Sequence, residues 1–330
     1  MTNSYTTLAG MFTQQDGEGN IASKVIEMLA PACDLINDAY VGECNSKDSN
    51  VSVIRTKLPE PEFRAFYQGA KKTASATRKV VDTCGQLTDY SVVDKTLCDR
   101  QKNPGQYRLN EAQAHLMGFQ KKIMKSMLYG DTKSDPLGFD GLARRYGKKS
   151  TTENTIGKQI IDGGATSGAC TSVFLITFGE NDTKLLYPEG SKAGIIHSNL
   201  GEVTERDDKG KEFQAYKDYW EWNVGLAVGN FKSNARVANI SVEELRKGNI
   251  DCESLLLDLY YATDDDRVNG LNKSFIYASK EFYKQLHKKI LNKTNVNLSF
   301  GDYAGKKVMQ FIDIPLRSCK EIRMDEDVVS

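Results

Sequence analysis

Three histidines, His115, His197 and His287, are the side chains of this sequence best suited to exchanging protons near neutral pH. They fall on unrelated stretches, and no H-E-x-x-H or related spacing occurs. A nucleophilic site would need one of them beside a Ser or Cys, which spacing does not provide. The run "GGATSG" at 163–168 has the composition of a phosphate cradle. It lacks G-x-x-x-x-G-K-[ST], follows no clear strand and opens no clear helix, so it reads as a Gly/Ser linker. It is not G-x-S-x-G either, because Ser167 directly precedes Gly168. "ATDDDRVNG" at 262–270 resembles a calcium loop but lacks alternate-position ligands and a closing Glu, and reads as a solvated acidic turn. The seven cysteines form no C-x-x-C pair and are odd in number, which fits reduced thiols of a protein made in a cytoplasm. These residues give no catalytic, cofactor-binding or metal-binding expectation, and the chain is not expected to be an enzyme. The segment "GLARRYGKKS" contains no acid and puts Arg144, Arg145, Lys148 and Lys149 in a possible basic contact patch. The patch would meet phosphates, acidic side chains of a neighbouring subunit, or solvent.

The frame that would position such residues is large enough to bury a core, as one large domain or two ordinary ones. Lys plus Arg equals Asp plus Glu at 44 each, so any nucleic-acid contact must use local patches. The start has no basic and apolar signal-peptide pattern, and no apolar run reaches the ~18 residues needed to cross a bilayer. Residues 1–20 read as a polar arm. Ile21, Val25, Met28 and Leu29 share helical spacing, which Pro31 interrupts and Leu35, Ile36 and Ala39 briefly resume.

From Val51 the period becomes two, with Val51, Val53, Arg55 and Lys57 on one face until Pro59 and Pro61. A second strand follows through "ATRKVVDTCGQL", making a two-stranded flap. Between Lys47 and Asp82 the flap holds eight basic residues against four acidic ones. A ribbon of this kind is marginal alone and calls for a partner surface. Leu109, Ala112, Leu116, Phe119, Ile123 and Met127 form one helical stripe, closed by Gly130 at a C-cap position.

Residues 150–172 read as a loop crossing between subdomains. "VFLITFG" and "TKLLYP" read as strands joined by the turn "GEND", and "YWEWNVGLAVGN" and "ARVANI" as two more joined by "GNFKSN". Ser241 to Glu244 has capping-box spacing, Leu255 to Leu259 is helical, and "KSFIYAS" is a buried strand. Ser279 caps a helix carrying Phe282, Leu286 and Ile290, followed by the strand "KKVMQFIDIPLRS" and an acidic tail. Strands mixed with a few helices give an α+β fold class.

The stretches "VIRTKLPEPEFRAFYQGAKKTASATRKVVDTCGQLTDYSVVDKTL", "LYGDTKSDPLGFDGLARRY", "FLITFGENDTKLLYPEGSKAG" and "YWEWNVGLAVGNFKSNARVANI" carry a family resemblance. In their order, from about residue 20 to about 320, the chain resembles the major capsid proteins of tailed bacteriophages with the Hong Kong 97 fold. It is nearest to those of short-tailed phages of the epsilon-fifteen type.

The resemblance implies an N-terminal arm (1–45), an extended E-loop (46–90), and a P-domain (91–150 and 210–245) whose spine helix is 109–129. The A-domain and remaining sheet would take 151–209 and 246–330. It implies self-assembly into pentamers and hexamers of an icosahedral head enclosing double-stranded DNA. Arg55, Lys57, Lys71, Lys72, Arg78 and Lys79 would be inter-subunit contacts of the E-loop. A scaffolding protein, a portal at one vertex, a cement or decoration protein and DNA on the inner face would be partners, with no membrane. The location would be the virion, after assembly in the host cytoplasm. Covalent Lys–Asn crosslinking is not expected, since no pattern identifies a catalytic Glu. The alternatives are an enzyme using the Gly-rich loop and another oligomeric virion part such as a tail or connector protein.

Overall fold

The computed structural model describes residues 34–152, 155–263, 273–291, 298–303 and 306–330. The expected arm at 1–20, the helix from Ile21 and the acidic turn from residue 264 lie outside the described residues. The described chain divides into two compact units, one of 85–123 with 192–224, the other of 34–84, 124–191 and 225–330. Mixed strands and helices make the fold α+β.

The larger unit opens with α1 (Leu35–Asp38) and β1 (Val41–Glu43). The ribbon β2 (Ser49–Lys57) and β3 (Ala76–Asp94) follows, β3 running on into the other unit. Beyond α2 (Lys95–Asp99) comes the long helix α3 (Pro104–Tyr129), then α4 (Leu142–Arg145) and β4 (Ile160–Asp162). The strands β5 (Cys170–Phe178), β6 (Thr183–Tyr187), β7 (Ile196–Arg206), β8 (Glu212–Val228) and β9 (Ala235–Ser241) precede α5 (Val242–Lys247) and α6 (Cys252–Ala262). The chain closes with β10 (Lys273–Ala278), α7 (Lys280–Leu291), β11 (Leu298–Tyr303), β12 (Lys306–Phe311) and β13 (Ile314–Ser318). The strand order is β11-β12-β13-β10-β5-β6-β8-β3-β2, with β1 beside β6, β9 beside β5 and β4 beside β9.

β5 is buried at every position, as a central strand covered on both faces must be. Val173 and Leu175 of β5, Val237 of β9 and Ile276 of β10 pack with Leu245, Leu256, Phe282 and Leu286 of the helices α5, α6 and α7. The Ser241 hydroxyl accepts from the Glu244 N–H as expected, and Gly248 at φ 84° closes α5 in the left-handed conformation.

Several connections differ from the sequence expectation. β5 and β6 are not a hairpin: they meet in parallel at a single pair, Phe178 and Thr183, and β6 pairs antiparallel with β8 instead. β8 and β9 do not pair; β9 lies antiparallel to β5 and parallel to β4. The stretch 150–172 contains β4 and the start of β5, and its glycine run is tied to β9. Gly163 and Ala165 donate to the carbonyls of Ala238 and Asn239 at 2.7 and 2.9 Å. A Cβ on Gly163 would sit 2.7 Å from the Asn239 carbonyl, so glycine serves close backbone approach there, not flexibility. "KKVMQFIDIPLRS" is two antiparallel strands, with Phe311 opposite Ile314 across the two-residue loop Ile312–Asp313.

Gly130 follows the last residue of α3, at the cap position expected, but its φ is not positive and the glycine serves close backbone approach. A Cβ there would lie 2.2 Å from the Phe139 carbonyl, and one on Gly141 would lie 2.5 Å from the Ser126 carbonyl. The two glycines let the returning chain cross the end of α3 in backbone contact, and Gly141 N–H donates to Gly130 O at 2.9 Å.

The acidic tail is not a solvated appendage. Glu326 is buried and accepts from Arg236 Nη2 at 2.7 Å, Ser172 Oγ at 2.5 Å and the Tyr129 hydroxyl. Arg236 also donates to the carbonyls of Ala143 and Tyr146.

The smaller unit contains the hairpin β7–β8, which sequence periodicity did not single out. Its register runs from Ile196 opposite Glu221 to Arg206 opposite Glu212. Asp207 closes the turn by accepting from the N–H groups of Lys209 and Lys211, and Gly210 takes φ 76°. Val93, Leu97, Cys98 and Tyr107 form a small core here, with Tyr216 against it.

Candidate functional site

β2 and β3 pair antiparallel from Ser49–Thr83 outward to Arg55–Thr77. A bulge between Arg55 and Lys57 places two β2 residues against one on β3, so the face shared by Val51, Val53 and Arg55 does not extend to Lys57. Residues 58–75 then leave the ladder and form an exposed tip. Pro59 and Pro61 cannot continue donating to a ladder, which accounts for the break.

The tip is curled by a local turn rather than by a core. Gln68 N–H donates to the Ala65 carbonyl at 3.3 Å, Arg64 Nη1 donates to the Gln68 carbonyl at 2.6 Å, and Tyr67 takes φ 68°. The result is a projection of aromatic rings into solvent. Phe63, Phe66 and Tyr67 are 109%, 93% and 105% exposed, values that mean no other described part of the chain covers them. Leu58 is exposed beside them. Large apolar groups displayed together in this way mark an interaction surface.

The base of the ribbon is anchored as firmly as the tip is free. Asn45 and Val51 exchange two hydrogen bonds, Nδ2 to the Val51 carbonyl at 2.8 Å and Val51 N–H to Oδ1 at 2.7 Å. Arg145 Nη2 donates to Asp82 Oδ1 at 2.7 Å and to the Leu226 carbonyl at 3.0 Å. Burial pushes the Asp82 carboxyl above its ordinary pKa, against the opposing pull of the Arg145 guanidinium. Such a pair costs desolvation to form, but removing one partner strands the other charge in the interior.

Of the six basic residues expected at contacts, Arg55, Lys57, Lys72, Arg78 and Lys79 are exposed, with no ion pair among the described residues. Lys71 is exposed too, but reaches Glu62 at 2.6 Å within the tip. The patch after Gly141 is a different case. Asp140 stands one residue before the quoted stretch, and the fold brings in further acids from a distance. Arg144 pairs with Asp131 and Asp140 at 2.6 and 3.0 Å, Arg145 with Asp82, and Lys149 with Asp162 at 2.8 Å. Lys148 alone of the four is exposed without an ion pair among the described residues. Burial would raise the Asp140 pKa, but the Thr132 N–H and hydroxyl and Arg144 outweigh it and hold the carboxyl below the usual range.

The sequence reading missed the aromatic tip, although "EFRAFY" lies between turn-forming residues and has no strand partner. A cluster of rings between Pro61 and Gly69 was the available signal.

The histidines assemble no nucleophile. His115 Nδ1 meets Asp89 at 2.6 Å, and His197 Nε2 meets Asp218 at 2.9 Å while its ring stacks on Trp220. Among the described residues no cluster of three or more His, Cys, Asp or Glu side chains could hold a metal ion, and no helix is long and apolar enough to cross a membrane.

Residues 16–330 match the family model described as major capsid protein GP7. A chain in the near-atomic structure of bacteriophage Epsilon15 is 30% identical, with 100% of this chain and 98% of that chain covered at a TM-score of 0.79. The capsid of bacteriophage JBD30 is 10% identical, covering 93% of this chain and 94% of that one at a TM-score of 0.44. The capsid of a native gene transfer agent particle is 10% identical, covering 72% and 99% at 0.45. No curated protein sequence matches.

Proposed function

The chain belongs to the major capsid protein GP7 family and is a subunit of a phage head shell, and on that premise we propose that its extended loop, 46–90, is the device that ties each copy to a neighbouring copy. Copies assemble with one another, and the location is the virion. The single observation that supports the loop's role is the tip: three aromatic rings held in solvent at the end of a ribbon whose base is locked. A free tip with a fixed base carries its own aim and still has its apolar surface to bury. Phe and Tyr suit such a contact because they bury much area for few rotatable bonds.

The basic residues Arg55, Lys57, Lys72, Arg78 and Lys79 flank the tip and set register against acidic side chains of the neighbour. Lys71 contributes through its Glu62 pair. Electrostatic complementarity of this sort chooses the partner and the approach more than it adds affinity. Each interface recurs under the shell's symmetry, so modest contacts sum through multivalency. The long helix, expected over 109–129 and running from Pro104 to Tyr129, serves as the spine helix of the P-domain, and the subunit works by assembly and not by turnover. The shell encloses double-stranded DNA, is built with a scaffolding protein and a portal, and can carry a decoration protein. Arg144, Arg145 and Lys149 are given an internal task by their carboxylates, which leaves Lys148 as the patch residue suited to contact.

The test is electron microscopy of the expressed protein, alone and with its scaffold. Closed shells agree with this reading. Tubes, rings or discrete small species under both conditions would count against it.

A further inference from the structure

Two cysteines stand together at the foundation of the extended loop. Cys44 follows β1, and Cys84 lies in β3 where the ribbon meets the sheet. Forty residues apart in sequence, their sulfur atoms stand 3.4 Å from each other. Both are free thiols, Cys44 buried and Cys84 half-buried. They sit with Leu186 and Ala227 in a small apolar cluster. The backbone on either side is fixed, because Cys44 N–H donates to Tyr187 O and Cys84 N–H to Asp48 O, each at 2.9 Å. Gly225 leaves the room: a Cβ there would press within 3.1 Å of the Cys84 Cα and Sγ.

We propose that Cys44 and Cys84 are a latent disulfide site that closes the chain around the base of the extended loop once the particle meets a peroxide-class oxidant. The sulfurs need to approach by about 1.4 Å to reach bonding distance, a movement within the reach of side-chain rotation. Hydrogen peroxide transfers one oxygen to either sulfur, giving a sulfenic acid and water. The other sulfur then displaces the hydroxyl, forming the S–S bond and releasing a second water. Two thiols and one peroxide become one disulfide and two waters.

The pair is protected in a reducing cytoplasm in two ways. Glutathione keeps thiols reduced there. Burial also pushes both thiols above their ordinary pKa, which lowers the thiolate fraction and slows the reaction. Oxidation therefore belongs to the time after release from the cell. Its effect would fall on the residues between the two cysteines, which include the whole ribbon tip.

The experiment treats assembled shells with hydrogen peroxide, quenches, denatures, alkylates with N-ethylmaleimide and measures the intact mass. The chain holds seven cysteines. The expected product has lost about 2 Da and carries two fewer alkyl groups than the untreated chain. Digestion with trypsin should yield a peptide linking Cys44 to Cys84, and dithiothreitol should restore full alkylation. Cys33 shares the tryptic peptide of Cys44, so C44S and C33S variants assign the linkage. C44S must abolish the crosslinked peptide, and C33S must keep it. The proposal is overturned if both cysteines remain alkylated after the other thiols react, if C44S retains the link, or if Cys84 pairs with another chain.

Discussion

Replacing Phe63, Phe66 and Tyr67 together with alanine separates assembly from folding. All three are fully exposed in the single chain, so the fold gains nothing from them. Surface changes of this type stay within about 0.5 kcal/mol of wild-type stability. In a shell the same rings would be covered. Full burial of one large apolar side chain contributes about 1.5–3 kcal/mol, giving roughly 5–9 kcal/mol for three before ordering costs. If only about 3 kcal/mol survives the entropy of fixing the tip, each contact still weakens by about a hundredfold. Sedimentation across a concentration series reads this directly. The variant should need at least tenfold more protein to form shells, while the thermal midpoint of its unassembled subunit stays within about 2 °C of wild type. Shells forming at the wild-type concentration would rule out burial of the rings between copies. So would a large drop in the midpoint, because the rings would then be packing inside their own subunit.

Other outcomes follow from the same geometry. Changing Lys71, Lys72, Arg78 and Lys79 together to Glu should block shell formation while circular dichroism of the subunit is unchanged. Arg236→Met should cost the unassembled subunit about 3–5 kcal/mol in denaturant unfolding, because it strands the buried Glu326 carboxylate. Adding Glu326→Leu should recover much of that loss. Asp140→Asn should lower subunit stability at pH 7 by about 1 kcal/mol or less, given its partial exposure. The Asp140 carboxyl is held below its unfolded value, so its contribution is complete above about pH 4 and disappears as pH falls through the lower folded value. Stability curves of the two proteins should therefore converge in acid.

Much of the fold could be read along the chain because its signals are local. The long helix was legible from its stripe, although it begins at Pro104, where Asn103 accepts from the Gln106 N–H. The stripe itself is only half right. Phe119, Ile123 and Met127 are buried, but Leu109 is exposed and Tyr107 is buried in its place. Ser241 as the cap of α5, the buried β10 and the apolar face of α7 were equally local, whereas the Ser279 hydroxyl, expected to cap α7, finds no hydrogen-bond partner among the described residues. What escaped was pairing at a distance. A strand's pattern does not name its neighbour, so β5 and β6 looked like a hairpin. The basic patch looked free although Asp140 adjoins it, because Asp82, Asp131 and Asp162 come to it only through the fold. Glu326 looked like tail charge because Arg236 lies ninety residues away. The tip aromatics are hidden from the sequence for a related reason: the flap's pattern shows its charge, while the complete exposure of the rings is a property of the folded chain.

The most direct measurement is a density map of the assembled shell at a resolution that shows side chains. Phe63, Phe66 and Tyr67 of each copy should lie buried against a neighbouring copy, with the ribbon's basic residues facing that neighbour's carboxylates. Rings that remain in solvent, or a tip folded back on its own subunit, would contradict it.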